Sequence, residues 1–138
     1  MWIVYGLLAA VTAALMTIVG KIGLKTIDPT VATGVRSFFM FAFMVATVGI
    51  SGKFQDVAKL QPKDWAIIAL AGAFGAASWL FYFLGLKATS ASKLASLDRL
   101  SLPLIILFSL IFLAEKFSWQ VILGGALVTI GAILVALA

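Results

Sequence analysis

Five long apolar runs, about 2–26, 30–50, 64–86, 92–114 and 118–137, take up most of this chain and are separated only by short polar breaks. A helix needs ~20 residues to cross a hydrocarbon core ~30 Å thick, and each run is of that order. Lipid offers the backbone no hydrogen-bond partner, so such runs cross as helices. The expected fold is therefore an all-α integral membrane protein with five transmembrane helices. Residues 1–138 would form a single membrane domain. Composition agrees, with 64% hydrophobic and 11% charged residues, a bias that no soluble core of this size requires.

Several function classes drop out. The sequence contains neither cysteine nor histidine, which removes disulfides, thiolate or imidazole metal sites and the commonest nucleophiles and bases. The remaining acids are Asp28, Asp56, Asp64, Asp98 and Glu115, most of them in or beside breaks. No enzyme activity, metal or cofactor is expected. No phosphate-binding Gly-Lys-Ser/Thr loop is present, which argues against an ATPase. The net charge of +5 would suggest nucleic acid in a soluble protein. Here most lysines sit at span ends, where snorkelling and lipid headgroups account for them, so the expected partner is the bilayer and not nucleic acid. The first run has no basic residue before Lys21, unlike a cleaved secretory signal, and is expected to remain as a span.

The breaks carry their own signals. Asp28-Pro29-Thr30 reads as a helix start, with the aspartate capping free amides and proline at the first helical position. Between Ser51 and Lys63, Phe54, Val57 and Ala58 at helical spacing predict a short interfacial helix. Only Glu115 to Ser118 separate the last two runs, which predicts a tight antiparallel hairpin with the Glu115 side chain bonding its amides.

Five crossings put the termini on opposite faces. Trp2, Trp65 and Trp119 fall on the N-terminal face, as an aromatic interface belt would. That face carries Lys53, Lys59, Lys63 and Lys116; the other carries Lys21, Lys25, Lys87 and Lys93, with Arg36 and Arg99 deeper on its side. Insertion follows the difference in basic charge, and the surface lysines balance, so insertion in both orientations is predicted.

Small residues form stripes. Gly6, Ala10, Ala13, Thr17 and Gly20 line one face of the first span, and Gly124 and Gly131 one face of the fifth, with Gly125 beside Thr129. Such stripes let helices approach closely in lipid, within the chain or in a dimer. Gly75, Ser78, Tyr82 and Gly85 form a similar groove on the third span, flanked by Trp79, which lies too deep for the belt. Met40 and Met44 on the second span could fill core or line an adaptable apolar surface.

The buried charges fall at one depth. Arg36 is six residues past Thr30 and Asp98 six past Ser92, so each should lie ~9 Å inside its helix start. Lys21 and Trp79 reach a similar level from the ends of their own spans, and Arg99 adjoins Asp98. A charge in a membrane helix costs ~2.5–3.5 kcal/mol at the centre unless paired or wetted. An Arg36–Asp98 pair would relieve both and could serve only to lock two helices. Yet Lys21, Arg36 and Arg99 face one carboxylate, and that excess asks for water or an anion. A polar cavity is the expectation. Pro103 frees the Arg99 carbonyl from its usual bond and predicts a bend or hinge there.

The order of Lys93, Asp98, Arg99 and Pro103 in one helix, then Leu113-Ala114-Glu115-Lys116, Trp119-Gln120, Gly124 and Gly131 resembles the closing half of an EamA domain of the drug/metabolite transporter superfamily. Gly20-Lys21, Asp28-Pro29 and Arg36 agree more loosely with its first half. The resemblance implies a secondary transporter in the plasma (inner) membrane of a prokaryote. It also implies half of an inverted-repeat ten-helix architecture, completed by a second copy. With the balanced lysines, this points to an antiparallel homodimer that exports or exchanges a small metabolite or amino-acid-like solute.

In that scheme Lys21, Arg36, Trp79, Tyr82 and Arg99 would bind the solute, and Asp98 would be the coupling group or counter-ion. Pro103 would be the hinge, and Gly124 and Gly131 would serve helix packing or the dimer. The alternative is a non-transporting scaffold or the accessory half of a heteromeric transporter. A channel is disfavoured because no ring of like side chains is evident.

Overall fold

The computed structural model describes residues 1–138 and contains helices but no strands. The helices are α1 (Trp2–Gly23), α2 (Pro29–Ile50), α3 (Phe54–Val57), α4 (Pro62–Ala88), α5 (Ala91–Asp98), α6 (Ser101–Phe112) and α7 (Trp119–Leu137). Five segments are long and apolar enough to cross a membrane: α1, α2, α4, the α5–α6 stretch Ala91–Phe112, and α7. These are the five runs of the sequence. The first helix ends at Gly23, short of residue 26, and the third span is longer than its apolar run, reaching Pro62 and Ala88.

The chain divides into two compact units, Ile22–Lys87 and Met1–Lys21 with Ala88–Ala138. In the first, Asp28 caps α2 as its sequence predicts. Its Oδ1 accepts from the amides of Thr30 (2.8 Å) and Val31 (3.2 Å), and Pro29 occupies the first turn, where its missing N–H costs nothing. At the other end of α2, Gly52 takes a left-handed backbone (φ +66°). The Lys53 amide then reaches back to Val48 O (3.1 Å) and the Gly52 amide to Gly49 O (3.0 Å). This crossed pair satisfies carbonyls that would otherwise face the membrane surface bare. The predicted interfacial helix is the single turn α3, beside an exposed Lys59–Asp56 pair at 2.7 Å that adds little stability. The Asp64 carboxylate accepts from the Gln61 amide (3.0 Å) at the start of α4.

In the second unit, α7 packs on α5 and α6. The fourth span is broken where proline directs. Pro103 has no N–H for the Arg99 carbonyl, and the Leu102 amide takes it instead at 3.0 Å. The Arg99 and Leu100 amides likewise bond three residues back, to Ser96 (3.1 Å) and Leu97 (3.0 Å). The chain turns at Arg99–Leu100 before α6 begins. After α6, Ala114 holds a left-handed φ of 51°, a slot usually filled by glycine and strained by ~1–2 kcal/mol for a residue with a Cβ. The Glu115 side chain is exposed there and bonds none of the hairpin amides. The backbone carries that turn instead, through the Glu115 amide to Ser109 O at 3.3 Å.

Gly125, not Gly124, is the close-packing glycine of α7. A Cβ at Gly125 would come within 2.9 Å of Ile106 Cδ1, whereas one at Gly124 or Gly131 would meet nothing within 4 Å. Gly125 and Ala132 are buried on α7, and Thr129 turns its hydroxyl back onto Gly125 O (2.8 Å). The face used inside the chain is therefore Gly125–Thr129–Ala132, and Gly124 and Gly131 look onto open space.

Candidate functional site

In the Ile22–Lys87 unit, two stripes meet. On α2, Pro29 and Thr33 are buried and Arg36 is half-buried. On α4, Phe83 and Leu86 are buried and Trp79 half-buried. Steps of four and three residues place each set on one helix face. Thr33 spends its hydroxyl on Pro29 O (2.7 Å) and Ser37 on Thr33 O (2.8 Å). Both hydroxyls donate within α2, and neither accepts from Arg36 Nη1.

Arg36 turns to aromatic faces. Its guanidinium carbon lies 3.9 Å from the Trp79 ring centroid and 5.6 Å from that of Phe83. Trp79 in turn meets Tyr82 and Phe83 edge to face, at 5.6 and 6.4 Å between centroids. A desolvated cation–π contact is worth ~2 kcal/mol or more, against ~2.5–3.5 kcal/mol for a charge at the centre of a span and less near its end. The aromatic shelf therefore offsets most of the cost of placing Arg36 there. It leaves one donor group unused, however: Nη1 is buried and has no hydrogen-bond partner.

Every acid of this unit is engaged elsewhere. Asp28 caps α2, Asp56 pairs with Lys59, and Asp64 holds the Gln61 amide. Beside Arg36, a groove of ≈ 540 Å³ runs along α2, lined by Arg36, Phe39, Met40, Ala42 and Phe43.

Of the expected site residues, the structure brings Arg36, Trp79 and Tyr82 together. Phe83 completes the group and is absent from the sequence-based set, although an aromatic four residues after Trp79 on the same face was the available signal. Lys21 donates to Thr89 O at 2.6 Å within its own unit, so its ammonium also serves the end of α4. Lys87 does the same for α1, donating to Leu24 O (2.5 Å) and Ile27 O (3.3 Å), where a cation suits the negative end of the helix dipole. Asp98 and Arg99 are exposed at the break between α5 and α6, and Pro103 lies in the first turn of α6.

Comparison with known proteins places these features. The family model described as the EamA-like transporter family matches residues 1–137. A protein of Sinorhizobium sp. named "Uncharacterized transporter in cobO 3'region" is 35% identical over 135 residues, covering 98% of this chain and 96% of that protein. No solved structure matches the chain.

Proposed function

This chain belongs to the EamA-like transporter family of multi-pass integral membrane proteins, and on that premise we propose that it is a secondary transporter acting as an antiparallel homodimer. Two oppositely inserted five-span copies reproduce an inverted repeat, the arrangement by which many secondary transporters alternate access. The four-against-four balance of surface lysines favours such dual insertion. The open Gly124–Gly131 face of α7 is a surface on which two copies can approach closely.

One observation carries the reading: a guanidinium held inside a span, with a buried donor and no hydrogen-bond partner for it. A scaffold has no use for such a group, since a buried unsatisfied donor only destabilises it. A transporter of a small metabolite or amino-acid-like solute does. Arg36 and Arg99 attract the solute, Trp79 and Tyr82 border it, and Lys21 adds positive potential from the end of α1. Asp98, exposed beside the Pro103 hinge, is the coupling proton carrier or counter-ion, and the plasma membrane of a prokaryote is the site of action.

The test joins topology and flux. Reporters on both termini should each give signal on both sides of the membrane. Arg36→Gln and Asp98→Asn should leave assembly intact and abolish solute exchange in proteoliposomes. A single fixed orientation removes the antiparallel dimer, and unchanged exchange in both variants removes the assigned roles.

A further inference from the structure

Resting on the antiparallel-dimer reading, we infer that Asp98 and Arg99 form a reciprocal contact between copies, in which Asp98 of each meets the partner's Arg99. Each copy alone holds an incomplete site, and Asp98 is the counter-ion of the partner's Arg99. A solute drawn to Arg99 competes with that carboxylate, which ties binding to the contact between copies.

Three observations converge. First, Asp98 and Arg99 are exposed inside the Ala91–Phe112 span, and neither side chain has a hydrogen-bond or ion-pair partner. Bare charge is costly in an apolar span. Arg99 can snorkel toward the headgroups on its long side chain, but Asp98 is too short to follow.

Second, the chain has nothing left to pair with them inside a span. Asp28 caps α2, Asp56 holds Lys59 and Asp64 holds the Gln61 amide, and Glu115 stands past the end of α6. Of the cations, Arg36 lies on Trp79, and Lys21 and Lys87 hold backbone carbonyls. The other lysines sit in breaks or at span ends. The carboxylate left for Arg99 is that of Asp98, on another copy.

Third, these residues lie where two inverted copies can share them. An axis in the membrane plane inverts depth, so a group meets its own counterpart only near the middle of a span. The 22-residue stretch Ala91–Phe112 has its middle between Ser101 and Leu102. By helical rise Asp98 and Arg99 lie about 5 and 4 Å from that level, so Asp98 and the partner's Arg99 differ by about 9 Å in depth. An extended arginine and an aspartate span that gap between them. One acid beside one base is also self-complementary, as a two-fold contact requires: each copy offers the other what it lacks.

The experiment uses two full-length chains with tags of different mass, co-expressed, one of them carrying the swap Asp98→Arg with Arg99→Asp. The swap keeps the number of basic residues and so leaves the insertion bias alone. Dimers released from mild detergent are counted by native mass spectrometry. Parent and swapped chains should each pair with themselves, since acid meets base in both. Mixed dimers set like charges together, and the ratio of mixed to like dimers should fall at least threefold below that of two tagged parent chains. A milder pairing co-expresses Asp98→Asn with Arg99→Gln. Neither like dimer keeps a contact and the mixed dimer keeps one, so the same ratio should rise at least threefold. Asp98→Asn alone still assembles, because the Gly124–Gly131 face is untouched.

A ratio equal to the parent control in either experiment overturns the inference, and is the result expected if lipid headgroups, water or the chain's own helices cover these charges. A rise on mixing parent with swap overturns it as well, since Asp98 then meets Asp98. If the swapped chain forms no dimer with itself, the Asn and Gln pairing alone decides. Reporters on the termini separate the two claims. Both orientations with an unchanged ratio keep the antiparallel dimer and remove the contact, whereas a single orientation removes the dimer and the contact with it.

Discussion

The two units join their helices in different ways. In Ile22–Lys87, α2 and α4 meet through particular side chains, with Arg36 on Trp79 and Lys87 on the carbonyls that follow α1. In the other unit, α6 and α7 meet through the absence of a side chain, with Ile106 filling the space that a Cβ at Gly125 would need. Lipid is as apolar as leucine, so helices gain nothing there from hydrophobic association alone and must use close packing or polar contacts. The unit that uses polar contacts can keep a cation inside a span. The unit that uses close packing leaves Asp98 and Arg99 exposed, at a break in the helix.

The sharpest way to break this contrast is Gly125→Leu. Its Cβ would have to displace Ile106 before the rest of the side chain is placed, and a loss of about 3 kcal/mol is expected, read by thermal unfolding in micelles. Gly124→Ala, one residue away, should unfold with the parent. In the opposite unit Trp79→Leu removes the shelf and should cost about 2 kcal/mol, with Phe83→Leu costing less because its ring lies farther from Arg36.

Pro103→Ala restores an amide for the Arg99 carbonyl and should stabilise by about 1 kcal/mol, seen as slower hydrogen exchange across residues 99–103. The same change made flux-neutral would show that the break is no hinge. Smallest is Ala114→Gly, expected to stabilise by about 0.5–1 kcal/mol, because glycine adopts φ 51° without penalty.

Much of this organisation is legible in the sequence. Apolar run length sets the spans, because it measures the one dimension the bilayer imposes, and Asp28-Pro29 and Pro103 mark a start and a break through local chemistry alone. The partner of Arg36 is less legible. Opposite charge suggests Asp98, but an arginine can also be settled by a ring face, and a linear pattern does not say toward which neighbour its long side chain turns. Glu115 misleads for a related reason, since the backbone of its own hairpin already satisfies the turn. In α7, neighbouring glycines point ~100° apart. A glycine-rich stretch therefore announces a close approach without saying whether Gly124 or Gly125 makes it.

Lys87 has a mechanical consequence. By holding both Leu24 O and Ile27 O, it pins the connection that leads into α2 to the last turn of α4. The second and third spans are thereby clamped at one tip, and tilting one drags the other. Arg36 and the indole beneath it would ride together through any such swing, as a jewel rides in its setting, and a ligand gripped by that arginine would be carried without being handed from one residue to the next.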